Sequence, residues 1–507
     1  MGKKFVRAIL GGMILLFAIS GLAQEFRATL TGQVADSSGA VIPGANVKAV
    51  NNASGTAYAG KTSAKGVYYI PYVLPGVYTV TAQASGFNTV VQDKVTLLAS
   101  QTFNQNFSLP VGEVDQKVVV HSAPPLLETA TGSGGTVISE RELQSLPVQG
   151  ESAYTLIGTT PGSQFTQTSF GTGGSHGTTG WDVTNQYTLG GGIVGNNQFT
   201  LDGTNITSQY TYNNHNAGEW TVSPNLDSIS EINVMTNTYD ARYGRTSGGI
   251  VNVVTKSGTN RYHGSVRYAY QGSLFNANTF ENNLAGQPRQ GEVQNQFWIT
   301  MGGPVIRNRL FFFFGLEGYR QSLAGTTLEN VPPAYLRPGY DGNEGVNFGL
   351  VQSMDPAEFP NGLPIYQPGT AYCTDGGAVD QCNSQDVAQM PYAQDTIPAS
   401  QISTVANNVM KYIPLPNISG AQNYVRGNNY IAHTPDLYSY NQPQVRVDYN
   451  LSQNTKMYSY FLWWKGKENR TQNGLFGVAA NGNINHTREN WVASQDITHV
   501  FSPTLDV

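Results

Sequence analysis

Ser230-Glu231-Ile232-Asn233-Val234, followed by Tyr243-Gly244, Gly248-Gly249 and Asn252-Val253-Val254-Thr255-Lys256, is the stretch that decides how this chain is read. The outer pieces are short, β-prone runs, and the glycines between them supply a turn and a point of close backbone approach. The second run leads straight into Gly258-Thr259-Asn260. From His263 onward the chain alternates. Val266, Tyr268 and Tyr270 interleave with Ser265, Arg267 and Gln271, and Val445, Val447, Tyr449 and Leu451 with Gln444, Arg446, Asp448 and Asn450. Segments of about 9 to 11 residues with one apolar and one polar face suit strands set between lipid and a lumen. Leu310 to Leu316 is a further apolar strand candidate, and Tyr458, Tyr460, Leu462 and Trp464 are expected among interfacial aromatic girdles.

Working upstream, Asn197-Gln198-Phe199-Thr200-Leu201-Asp202-Gly203 resembles a plug motif in which a strand ends in an Asp-Gly turn. Together with Ser230 to Lys256 it resembles the plug of TonB-dependent receptors. Tyr239-Asp240 stands where the transporter families usually show Gly-Pro, which places the chain nearer the Oar-like branch and leaves the ligand class open. The resemblance implies a plug over 126–257 and the N-terminal part of an outer-membrane β-barrel over 258–507. Asp202, Gly203, Tyr243, Gly244, Gly249, Asn252 and Lys256 are expected to hold the plug together rather than to contact ligand.

The N-terminus sets the compartment. Lys3, Lys4 and Arg7 precede an apolar run from Ala8 to Gly21 and the small-residue end Gly21-Leu22-Ala23, so residues 1–23 read as a secretory signal peptide. The run is shorter than the roughly 20 residues a membrane-spanning helix requires. Between Ala28 and Leu109 a period-two pattern is broken at Ser38-Gly39, Pro43-Gly44, Lys65-Gly66, Pro75-Gly76 and Ser85-Gly86, so a small antiparallel sandwich is expected over 24–112. Gly32-Gln33-Val34-Ala35-Asp36, Pro43-Gly44-Ala45, Leu74-Pro75-Gly76 with Tyr78, and Gly86-Phe87 resemble the carboxypeptidase regulatory-like family. That family has an immunoglobulin-like, transthyretin-like fold, and its name implies no peptidase here. A linker over 113–125 carries Asp115-Gln116-Lys117-Val118-Val119-Val120, which resembles a TonB box that a periplasmic energy-coupling protein captures by strand addition. Its alternative reading is the last strand of the sandwich or a plain linker.

Composition fits exported β-structure. Charged residues are 12% and aromatics 11%, with 57 glycines, and the net charge of −5 offers no basic footprint for nucleic acid. Cys373 and Cys382 are close together in a Gly/Asn/Asp-rich stretch, and an oxidising compartment favours a local disulfide between them. The stretch 322–440 is too long for a periplasmic turn and is read as an extracellular loop. Within it Ser400 is expected to cap a helix presenting Ile402, Val405, Val409 and Ile413 on one face.

Two catalytic patterns carry little weight. Gly173-Gly174-Ser175-His176-Gly177 fits a nucleophile elbow but has no strand before it and no helix after it. His486-Thr487-Arg488-Glu489 has the spacing of a zinc carboxypeptidase, yet it sits on a strand candidate and its third ligand would lie past Val507. The expectation is therefore a mainly β protein: sandwich, α+β plug, then the first strands of an incomplete barrel, with no catalytic residue, cofactor or metal. About six strand candidates precede Phe501, against about 22 in plugged transporters, so a longer barrel is expected. The expected function is energy-coupled uptake of an unidentified ligand through the Gram-negative outer membrane, with the sandwich periplasmic and a TonB-type protein as partner. The alternative is a surface adhesion or matrix-organising role in which the barrel only anchors the loops.

Overall fold

The computed structural model describes residues 25–506 apart from 113–116, 121–133, 147–152, 166–186, 193–195, 209–218, 471–483 and shorter stretches in other loops. The expected signal peptide, Asp115, Gln116, Cys382 and Gly173 to Gly177 lie outside the described residues. Among those described, the chain forms a sandwich, a plug sheet and an open barrel wall.

The sandwich strands are β1 (Ala28–Asp36), β2 (Asn46–Asn51), β3 (Ala57–Lys61), β4 (Val67–Val73), β5 (Gly76–Gln83), β6 (Thr89–Leu97), β7 (Thr102–Asn104), β8 (Phe107–Leu109) and β9 (Lys117–Val120). One sheet has the order β4-β1-β7 with β8 also on β1, and the other the order β3-β2-β5-β6-β9. Tyr78, Val80 and Ala82 on β5 face Phe103, Phe107 and Leu109 across one core. The alternation read in the sequence follows from this, because each strand buries every second side chain against the opposite sheet.

In the plug, β10 (Gly134–Ser139) leads into α1 (Glu140–Ser145), and β11 (Gln198–Leu201), β12 (Thr204–Asn205), β13 (Ile229–Asn237) and β14 (Ile250–Thr255) complete a sheet ordered β10-β13-β14-β11-β12. Ser139 starts α1 through a capping box with Glu142. The hairpin β11-β12 turns on Asp202-Gly203, whose φ values of 46° and 78° are the paired left-handed conformations of a two-residue turn. Strands β13 and β14 are buried on both faces, with Ile232, Val234, Val251 and Val253 in the plug core. That core is continuous with Tyr460, Leu462 and Val492 of the wall.

The wall consists of β15 (His263–Gly272), β16 (Glu292–Ile306), β17 (Leu310–Leu323), β18 (Asp436–Asn450), β19 (Thr455–Arg470), β20 (Ile484–Ser502) and the short β21 (Leu505–Asp506). Each pairs antiparallel with the next, and β15 and β21 do not meet, so the sheet is open among the described residues. On β18, Gln442, Gln444, Arg446 and Asp448 point inward while Val445 is exposed, as the alternation implies. The apolar run at the start of β17 divides between Phe311 and Phe313, which are buried, and Phe314, which is exposed. One expectation is corrected. Tyr458, Tyr460 and Leu462 are not girdle residues: they point inward and are buried, because period two assigns them to the face that meets the plug.

Between β17 and β18 the chain forms a folded subdomain on a stem in which Thr326–Glu329 pairs with Tyr430–His433. Tyr335, Leu336, Val351 and Phe359 give it a core. Buried Asn429 ties it together, accepting from Val331 N at 2.8 Å and donating to Val331 O at 2.7 Å. The expected helix is shorter than predicted, Thr404–Met410, and its cap is Ser403 rather than Ser400, with the Ser403 hydroxyl accepting from Val405 N at 3.2 Å. Val405 and Val409 are exposed, while Ile402 and Ile413 are half-buried. Cys373 is disulfide-bonded. Alkylation of the denatured, unreduced protein is accordingly expected to modify neither cysteine, and prior reduction to expose both; modification without reductant would refute the bridge.

Candidate functional site

Three of the sequence-predicted plug residues, Asp202, Tyr243 and Asn252, reach across to the wall or the sandwich. The Asp-Gly turn places the Asp202 carboxylate in a fully buried position. It accepts from Thr255 N at 2.9 Å and from the Thr255 hydroxyl at 2.5 Å, which ties β11 to the end of β14. From the wall, Arg446 reaches in to form an ion pair with Asp202 at 3.1 Å. Its guanidinium also pairs with Asp448 at 3.0 Å, donates to the Thr255 hydroxyl at 3.0 Å and lies 4.7 Å from the Tyr458 ring centre. Tyr458 donates to the Asp202 carbonyl at 2.7 Å. A planar guanidinium with several fixed donors suits this task, since it satisfies two carboxylates and a hydroxyl at once.

The other motif residues serve different contacts. Gly203 completes the turn. Asn252 accepts from the Thr200 hydroxyl at 2.9 Å, bridging the parallel strands β11 and β14, and donates to Ser100 Oγ at 3.3 Å. Tyr243 donates to Ser100 Oγ at 2.8 Å and to the Glu25 carbonyl at 3.0 Å. Lys256 pairs with Glu140 of α1 at 2.8 Å. Gly249 is packed against Leu189 and the Met235 carbonyl, whereas Gly244 has open space where a Cβ would stand. Tyr243 and Asn252 thus reach the sandwich and Asp202 the wall, beyond the purely internal role expected for them.

Sequence reasoning missed the residues on the other side of these contacts. The turn after β6 sets Ala99 against the plug: its N–H donates to the Glu231 carboxylate, and its carbonyl accepts from Asn233 Nδ2 at 2.9 Å. Arg27, ahead of β1, pairs with Glu25 at 2.7 Å and with Asp496 of β20 at 3.0 Å, and lies 4.7 Å from the Tyr72 ring centre. Phe26, Ala99, Val254 and Tyr458 form a small apolar cluster drawn from all three modules. Contacts through Ala99 are made by backbone atoms, which leave no mark on a sequence. A cavity of about 690 Å³ remains at the junction, with Tyr72, Lys256, Tyr262, Arg446 and Lys456 among its walls.

Glu231 carries a pH signature. Burial pushes its carboxyl up to about 7 from an ordinary 4.5, with the Ala99 N–H opposing the shift. A raised acid favours the protonated folded state, so its contribution is fully present below its ordinary value and is lost as pH rises through about 7. The folded state should therefore be more stable near pH 5 than near pH 8 by up to roughly 3 kcal/mol, although the Ala99 contact itself favours the ionised carboxylate. Glu231→Gln is expected to flatten this dependence in urea titrations of the full-length protein; an unchanged slope would contradict it.

The candidate coupling segment takes the sandwich-edge placement. Strand β9 pairs in parallel with β6, Val90 beside Val118 and Gln92 beside Val120. The His486 and Glu489 positions, three apart on β20, fall on opposite faces of the strand, and Glu489 accepts from Trp463 Nε1 at 2.7 Å.

Comparison with known proteins agrees with this architecture. Residues 254–506 match the outer membrane beta barrel domain family and residues 29–110 the carboxypeptidase regulatory-like domain family. The chain is 25% identical over 267 residues to the TonB-dependent transporter Oar of Myxococcus xanthus, covering 50% of this chain and 23% of that protein. Among solved structures, the outer membrane transporter YddB from Escherichia coli aligns with a TM-score of 0.42 at 10% identity, over 73% of this chain and 37% of the other. The siderophore receptor PirA from Acinetobacter baumannii aligns with a TM-score of 0.33 at 15% identity, over 73% and 46%. The chain therefore spans about a quarter of its curated relative and less than half of either solved chain.

Proposed function

Because this chain belongs to the Oar-like TonB-dependent receptors of the Gram-negative outer membrane, we propose that it serves energy-coupled uptake of a ligand. The ligand binds extracellular loops and plug, a TonB-type protein pulls on the periplasmic side, and the plug rearranges to open a path. No bond is made or broken. The observation that supports this reading most is the buried Asp202–Arg446 pair. A desolvated ion pair between plug and wall opposes movement of the plug, since separating the partners exposes or strands two buried charges. External work is the natural way to move it.

The test compares solutes removed from growth medium by cells with and without the gene, and with and without a protonophore. Uptake predicts a solute class depleted only when gene and proton gradient are both intact. Depletion that ignores the gradient, or no depletion at all, would refute it.

A second reading has its own observation. The subdomain between β17 and β18 has a core and a hydrogen-bonded stem, as a platform for surface adhesion or matrix organisation would need. Under that reading, deleting the subdomain alters cell attachment, and the alteration persists in a strain lacking the coupling protein.

A further inference from the structure

We propose that the N-terminal sandwich is a latch: docked across plug and wall, it holds the plug closed, and it must undock before the plug can move. This rests on the reading of the chain as a coupled transporter and adds a step to it.

Three observations carry the latch. First, the sandwich has a complete core of its own, from Leu30 and Val47 to Leu109, separate from that of the plug. No plug residue contributes to that core among those described. Second, it is held to the rest of the molecule by contacts that can be made and broken. The shared apolar cluster is small, comprising Phe26, Ala99, Val254 and Tyr458, with Leu74 packed against it. Polar contacts add to it: Arg27 to Asp496 and Thr498, Ala99 to Glu231 and Asn233, Ser100 to Tyr243 and Asn252, and, at the other end of the sandwich, Ala53 and Ser54 to Asn260, Thr56 to Asn450 and the Tyr58 ring to Lys456. Interfaces between domains that move are of this polar kind. Third, the contacts are placed to oppose plug motion. Glu231 and Asn233 lie on β13, the strand that pairs with β10 on one side and β14 on the other. Arg27 meanwhile is joined to β20 of the wall, so the sandwich bridges a moving part and a fixed one.

The candidate coupling strand belongs to the same body. Strand β9 is paired to β6, and β6 runs directly into the Leu98–Gln101 turn that contacts the plug. Force applied to β9 therefore acts on the sandwich through β6, and in this proposal undocking precedes plug motion.

The test uses the full-length protein in detergent and in cells. Arg27→Ala with Ser100→Ala weakens the sandwich side of the contact and alters neither plug nor wall. Amide hydrogen exchange across Ile229–Asn237 should then speed up at least about tenfold, while Val47 to Ala49 stay protected and so report a folded sandwich. Ser100→Cys with Asn252→Cys is the opposite device, a disulfide between latch and plug. Once oxidised it should slow exchange in the plug below the wild-type rate, and it should abolish gradient-dependent solute depletion until reductant is added. Single-cysteine controls should respond to neither treatment. Plug exchange unchanged by both variants, or equal depletion by locked and unlocked protein, would overturn the latch while leaving coupled transport standing. Failure of coupled transport itself would show instead as wild-type depletion that ignores the gradient.

Discussion

Arg446→Ala is expected to destabilise the seating of the plug by about 3–5 kcal/mol, the usual cost of removing one partner from a buried ion pair. The variant leaves Asp202 with only its Thr255 donors, and leaves Asp448 without the guanidinium that accounts for its place on an inward face. It also empties the space beside the Tyr458 ring. Arg446→Lys should not rescue it, because one ammonium cannot reach Asp202, Asp448 and Thr255 together. Combining Arg446→Met with Asp202→Asn should cost less than Arg446→Ala alone, since no acid on the plug is then stranded. Urea titration of the full-length protein, followed by proteolysis within the plug, measures all three. A loss below about 1 kcal/mol for Arg446→Ala would show that the pair is spectator chemistry.

Gly249→Val is the second change of large effect, and its contrast with Gly244→Ala makes it informative. A Cβ at Gly249 would lie 2.5 Å from Leu189 Cβ and 2.8 Å from the Met235 carbonyl oxygen, both fixed by the backbone. Relief requires the chain at Gly249 to move away from both β13 and the Tyr187–Leu189 strand, at about 3 kcal/mol or more, the upper end of overpacking costs. At Gly244 nothing lies within 4 Å of the added atom. That substitution should change stability by no more than about 0.5 kcal/mol. Proteolysis of residues 134–255 should accelerate for Gly249→Val and not for Gly244→Ala. Equal behaviour of the two would mean that the packing at Gly249 does not constrain the plug.

These two sites show what the sequence could and could not convey. The Asp202-Gly203 hairpin was legible because two consecutive positive φ values select that dipeptide. Strands β13 and β14 were legible as short apolar runs with glycines between them, and the inward face of β18 as a period of two. Nothing local told Arg446 which plug residue it would meet, because the partner is set by how the wall wraps the plug. The contact at Ala99 was invisible for another reason, being made by an N–H and a carbonyl that every residue carries. The inward turn of Tyr458 and Tyr460 was misread because aromatic residues at a strand end suit a lipid interface and a packed lumen equally well. The helix cap is Ser403 rather than Ser400 because Ser400 lies inside a tight turn of its own, Ala399–Gln401.

The latch and the ion pair describe one closed state, in which the Asp202–Arg446 pair joins plug to wall and the sandwich bridges them from the other side. Both acquire a purpose only if something pulls. That claim is tested most directly by a photo-cross-linking residue at Val118, which is partly exposed on β9, in the full-length protein in living cells. Coupling by pulling predicts a covalent adduct with the TonB-type coupling protein that disappears in a strain lacking that protein. No adduct from Val118, under conditions in which another receptor of the same cells yields one, would contradict it.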